Sequence, residues 1–214
     1  MSIAAKICGL SSDDGVAAAV QGGAAYVGFV FYPPSPRAVT PARAGALCAA
    51  VPEEMLRVGM FVDADDATIA AVLDAAPLDI LQFHGHESPD RVAESRARFG
   101  RQVMKAISVA AEEDVDVAAS YEEVADLLLF DAKPPRRADA LPGGNGLAFD
   151  WRLIAGRGWR IPWMLSGGLT AELLPEAVRI SGATAVDVST GVERRPGDKD
   201  PEKIRAFLDA ARGL

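Results

Sequence analysis

Cysteine and histidine are scarce: Cys8 and Cys48 are the only thiols in 214 residues, and His84 and His86 the only imidazoles. Two isolated cysteines give no disulfide framework, and neither has a neighbour at metal-ligand spacing. A reducing, cytoplasmic setting is therefore expected. Basic residues are also in deficit, 22 against 30 acidic for a net charge of −8. That balance argues against nucleic acid as a partner, which would call for a basic stripe to displace counterions. Long apolar runs are missing too. Residues 15–36 carry no charge, but Gln21, Gly22 and Gly23 interrupt the stretch and Pro33, Pro34 and Pro36 end it. A span needs about 20 continuous apolar residues, so no membrane helix is expected. The opening MSIAAKICGLSSDD has no basic stretch before an apolar one, and no signal peptide is expected from it.

What is present is a series of short apolar runs. They begin at Ile3, Ala25, Leu56, Asp79, Gln102, Asp126, Ile161 and Thr184, each followed by an amphipathic or alanine-rich stretch. Half of the residues are hydrophobic, enough for one large core. Near-continuous hydrophobicity within each run is the mark of parallel strands buried on both faces. Five of the seven start-to-start intervals are 22–24 residues, close to the minimum for a strand, a helix and two short loops. Eight such units predict an α/β fold, a single (β/α)8 TIM barrel over residues 1–214. Helix starts are expected at Ser12, Thr40, Ser88, Thr170 and Asp200, three of which precede a proline. The stretch EEDVDVAASYEEVA after the fifth strand reads as one helix or two pieces.

In that fold the loops after the strands build the active site, and there the chemistry-bearing residues fall. Cys8 ends the first strand, where its thiol is either a general base helped by a nearby cation or a small buried hydrophobe. Cys48, inside ARAGALCAAV, reads as core. Asp131 closes the sixth strand, ahead of the longest loop. Partial desolvation there suits a general acid, whereas an ion pair with Lys133 or the Arg136-Arg137 pair would give it a structural role. Arg37 ends YPPSPR, a loop stiffened by three prolines that could hold a carboxylate bidentately. His84 and His86 alternate at the end of the fourth strand and would share a face. With no third ligand at suitable spacing, no metal is expected. Glycine turns at Gly143-Gly144-Asn145-Gly146, Gly167-Gly168 and Thr190-Gly191 expose backbone N–H groups that can cradle a phosphate. Turns after both the seventh and eighth strands match the usual phosphate site of such barrels.

The segments KICGL (6–10), VGFVFYPPSPR (27–37), VGMFV (58–62), LQFHGHE (81–87), FDAK (130–133), GGNGLAFDW (143–151), LSGGL (165–169), VDVSTGVE (186–193) and PGDKD (196–200) together resemble the phosphoribosylanthranilate isomerase family of tryptophan biosynthesis. Phe83, Asn145 and Thr190 depart from its commoner leucine, threonine or serine, and serine. The resemblance implies an Amadori rearrangement of N-(5′-phosphoribosyl)anthranilate without cofactor. Asp131 would be the acid and Cys8 the base. Arg37 would hold the anthranilate carboxylate, with His84, Gly144, Gly146, Gly167, Gly168, Thr190 and Gly191 around the phosphosugar. The partner is then a small phosphosugar-anthranilate molecule, and the chain a monomer or homodimer. Another phosphosugar isomerase or epimerase is the alternative on the same barrel. A non-catalytic phosphosugar-binding barrel would have no need for the acid-base pair.

Overall fold

The computed structural model describes residues 3–134 and 141–214; Arg136 and Arg137, weighed above as partners of Asp131, lie outside the described residues. Eight strands, Ala4–Cys8 (β1), Tyr26–Val30 (β2), Leu56–Phe61 (β3), Ile80–Phe83 (β4), Gln102–Val109 (β5), Leu127–Ala132 (β6), Trp163–Leu165 (β7) and Ala185–Val188 (β8), pair in parallel and in chain order. β8 returns to β1 in the register Lys6↔Asp187, closing the barrel. Each strand starts within two residues of its sequence expectation.

The strands look uniformly apolar because both faces are buried, in different places. Outward residues such as Ile7, Val27, Phe29, Phe61, Leu81, Phe83, Leu128 and Phe130 pack with the helices into the main core. Inward residues Val58, Ile80, Met104, Ala106, Leu127, Leu129 and Met164 fill the barrel separately. One step of two residues further along the same inward face, the chemistry changes. Ile80 is followed by Gln82, Leu129 by Asp131, Met164 by Ser166, Ala185 by Asp187, and Lys6 by Cys8. All six polar or thiol residues are buried. The barrel floor is thus hydrocarbon, and its C-terminal mouth carries functional groups.

Helices Asp13–Gln21 (α1), Pro41–Cys48 (α2), Asp66–Ala75 (α3), Pro89–Phe99 (α4), Glu112–Asp116 (α5), Leu174–Ser181 (α6) and Pro201–Arg212 (α7) surround the strands. Ser12, Thr40, Ser88 and Asp200 cap α1, α2, α4 and α7 as expected, each side chain accepting from a backbone N–H in the first turn. Thr170 accepts from Leu173 N–H, but α6 begins only at Leu174. The stretch after β5 is in two pieces, α5 and a 3-10 turn at Val117–Tyr121. Between β6 and β7 the described residues hold no α-helix. A single 3-10 turn, Trp151–Leu153, stands there, capped by Asp150 and followed by Gly156. The loop after β8 carries a feature not foreseen, an antiparallel ribbon of Glu193–Arg195 (β9) and Asp198–Lys199 (β10). Among the described residues no helix is long and apolar enough to cross a membrane.

Candidate active site

A cleft opens at the C-terminal mouth of the barrel. Cys8, Arg37, His84, Asp131, Gly144, Gly146, Gly167, Gly168 and Thr190 all line it, as do Gln82, Ser166 and Asp187. Gly144, Gly146, Gly167 and Gly168 have φ of 71°, 70°, 91° and 63°, a backbone region where side chains are strained. Gly191 is the exception among the expected site residues, because it does not line the cleft. It sits in a 3-10 turn at Thr190–Val192 with its Cα against β7's following loop, and a Cβ there would lie 1.9 Å from the Leu169 carbonyl oxygen. The lack of a side chain there lets two backbones pack closely. Gly191→Ala is expected to cost about 2–3 kcal/mol, read as a lower urea midpoint. An unchanged midpoint would show that the loops separate freely.

On one side of the cleft stands Asp131, 5% exposed. Its Oδ1 accepts from Ala132 N–H at 2.9 Å, and its Oδ2 is 3.3 Å from His84 Nε2. Gln82 Nε2 lies 2.9 Å from His84 Nδ1, which leaves the ring proton on Nε2, towards Asp131. Lys133 does not pair with Asp131; it reaches Asp114 instead. His84 and His86 do not share a face, because β4 stops at Phe83 and alternation ends with it. His84 is buried in the cleft, while His86 is exposed and pairs with Asp63 at 3.1 Å. Among the described residues no group of three or more His, Cys, Asp or Glu side chains is placed to hold a metal ion.

Cys8 faces the cleft from β1, three strands around the barrel from β6. Burial pushes its thiol above the ordinary range, opposed by the charges of Lys6 and Lys199. Lys6 is wholly buried and donates to Asp187 Oδ1 at 2.8 Å. The other oxygen, Oδ2, accepts from Ser166 Oγ at 3.1 Å.

Arg37 reaches the cleft from the loop after β2 and is itself held there. Its Nε and Nη2 donate to the two oxygens of Glu193 at 2.8 and 2.9 Å, and Nη2 is 3.3 Å from the Gly144 carbonyl oxygen. Lys199 Nζ donates to Glu193 Oε1 at 2.7 Å and to the Ser189 carbonyl and hydroxyl. These two cations hold the Glu193 carboxyl below its usual range despite its burial. Side-on pairing with Glu193 occupies Nε and Nη2, the Gly144 carbonyl takes the second Nη2 hydrogen, and Nη1 is left for a ligand. The sequence analysis missed Lys6, Asp187, Gln82, Ser166, Glu193 and Lys199. The only signal was inward parity for polar residues in apolar strands, which reaches Lys6, Gln82 and Asp187 but not the ribbon.

The family model for N-(5'phosphoribosyl)anthranilate (PRA) isomerase matches residues 5–210. The chain belongs to this family. The N-(5'-phosphoribosyl)anthranilate isomerase of Paramagnetospirillum magneticum is 56% identical over 213 residues, covering 100% of this chain and 99% of that protein. The crystal structure of the Thermotoga maritima phosphoribosyl anthranilate isomerase aligns with a TM-score of 0.88 at 36% identity, over 99% of this chain and 100% of that one. Another phosphoribosyl anthranilate isomerase, crystallised with reduced 1-(o-carboxyphenylamino)-1-deoxyribulose 5-phosphate, aligns with a TM-score of 0.85 at 34% identity over 99% and 100%. The PRA isomerase barrel is thus the barrel built here from eight short units.

Proposed function

We infer that this chain catalyses the Amadori rearrangement of N-(5′-phosphoribosyl)anthranilate to 1-(2-carboxyphenylamino)-1-deoxyribulose 5-phosphate, a step of tryptophan biosynthesis. The observation that carries the reading is a buried carboxyl on β6 and a buried thiol on β1 facing one cleft, with separate anion-binding groups at its edges. Asp131 gives a proton to the furanose ring oxygen as the C1′–O bond breaks, leaving a protonated Schiff base. Cys8, as thiolate, takes the C2′ proton, and the C2′–H electron pair neutralises the iminium to give an enolamine. The enolamine then gains a proton at C1′ and loses one from the C2′ hydroxyl, yielding the ketone. Substrate and product are isomers, so the stoichiometry calls for no external oxidant or reductant.

Arg37 receives the anthranilate carboxylate through Nη1, its guanidinium aimed by Glu193. The phosphate is held by backbone N–H groups of the turns around Gly144, Gly146, Gly167 and Gly168, with Thr190 adding a hydroxyl. His84 contacts the sugar side through its place beside Asp131. A neutral backbone cradle and one arginine explain how a protein of net charge −8 accepts a multiply anionic substrate. Two buried, unpaired cysteines support the cytoplasm as its setting. The test is the loss of substrate fluorescence on adding purified protein. Protein-dependent loss at a turnover of order 1 per second or faster is expected; a folded protein that leaves the substrate untouched would overturn the reading.

A further inference from the structure

We propose that Lys6, paired with Asp187, is a positioning residue that sets how readily Cys8 gives up its proton. The catalytic consequence rests on Cys8 being the base of the proposed function; the effect on the thiol does not. Lys6 and Cys8 are successive inward residues of β1. Gly28 of β2 stands opposite Cys8 in register, and a Cβ built on it would lie 3.0 Å from Cys8 Sγ and 3.3 Å from Lys6 Cε. The lack of a side chain on β2 therefore lets thiol and lysine chain meet over one bare patch of backbone.

An ammonium at this depth needs a reason. Other inward positions carry Val58, Ile80 and Leu129, and a buried ion pair replaced by apolar side chains is often neutral or more stable. Stability alone does not account for Lys6. The groups that face the thiol come from several elements. Lys6 is on its own strand, Asp187 on β8 and Lys199 on β10, while Asp131 and the Arg37–Glu193 pair lie around the same cleft. Burial works against the Lys6 charge, but the Asp187 carboxylate outweighs it and holds the pKa above the ordinary value, with the Cys8 thiolate adding to that support when it forms. Lys6 is thus a cation across the working pH range. Its charge favours the thiolate, and Asp187 opposes it. The two partners push Cys8 in opposite directions, a signature that loss of packing does not produce.

The experiment is the pH dependence of Cys8 alkylation by iodoacetamide in the intact protein, followed on the Cys8 peptide by mass spectrometry so that Cys48 does not contribute. Lys6→Met is expected to move the midpoint up by about one pH unit, a roughly tenfold loss of thiolate on the rising limb. Asp187→Asn is expected to move it down, because the thiolate that forms supports the Lys6 charge in place of the lost carboxylate. The double variant Lys6→Met/Asp187→Asn removes both charges and leaves no unpaired carboxylate if the single lysine variant fails to fold. Its midpoint should lie above that of Asp187→Asn. Midpoints that stay fixed, move together in one direction, or coincide for the double variant and Asp187→Asn would overturn the proposal. A parallel kcat/KM profile separates the two readings. If the alkylation midpoint shifts and the rate profile does not follow, Cys8 is not the base, while the hold of Lys6 on the thiol stands.

Discussion

Asp131→Asn is expected to cut kcat by about 10^3-fold, within the range that positioned acid-base groups contribute. Asparagine keeps the shape and one acceptor oxygen, which can serve the Ala132 N–H, while its amide NH2 takes the place of the oxygen beside His84 Nε2. What it lacks is an acidic proton to give to the ring oxygen, and the imidazole beside it is already engaged with Gln82 through Nδ1. Binding is expected to survive, because asparagine keeps the volume that Gly143 and Gly167 pack against and leaves Arg37 untouched. The reduced product analogue should therefore bind the variant within a few-fold of the parent by fluorescence titration. A kcat within tenfold of the parent would remove Asp131 from the acid role.

The second large effect is Cys8→Ser, again a loss of about 10^3-fold in kcat. A serine hydroxyl is far less acidic than a thiol, and the nearby lysine charges cannot ionise it at neutral pH. The pH profile adds a directional check. The base form is the thiolate and burial raises the thiol's pKa, so the parent's kcat/KM should climb with pH beyond the ordinary thiol range. The residual rate of Cys8→Ser should not follow that limb. Serine turnover close to the parent's would show that another group removes the C2′ proton.

Much of this was legible because a parallel barrel writes itself locally. A strand buried on both faces is an unbroken apolar run, and a helix start is a capping side chain before a proline; both signals sit within a few residues. Cys8, Asp131 and Arg37 were found because each ends a strand or loop on the functional side. The electrostatic supports escaped because they are products of closure. Lys6 meets Asp187 across 181 positions and Arg37 meets Glu193 across 156, contacts that depend on register and on how the last loop folds back. The β9–β10 ribbon is too short to show a period. The histidine pair misled for a smaller reason, since alternation was carried one residue past the end of β4. At Gly191 two signals overlap, because one glycine can expose an amide and also admit a neighbouring backbone, and the closeness of Leu169 depends on how the loops after β7 and β8 meet.

Both supports join the beginning of the chain to its end. Lys6 and Arg37 belong to the first two strand-helix units, Asp187, Glu193 and Lys199 to the last. During synthesis the thiol and the guanidinium therefore emerge long before the carboxylates that order them. A nascent chain lacking its final unit presents a lysine without a counter-ion where the barrel interior should be, and an unheld arginine at the rim. The two supports are completed only when the eighth unit is made, so a product that lacks it carries most of the scaffold and the Asp131–His84 side, but not the carboxylates that order Lys6 and Arg37.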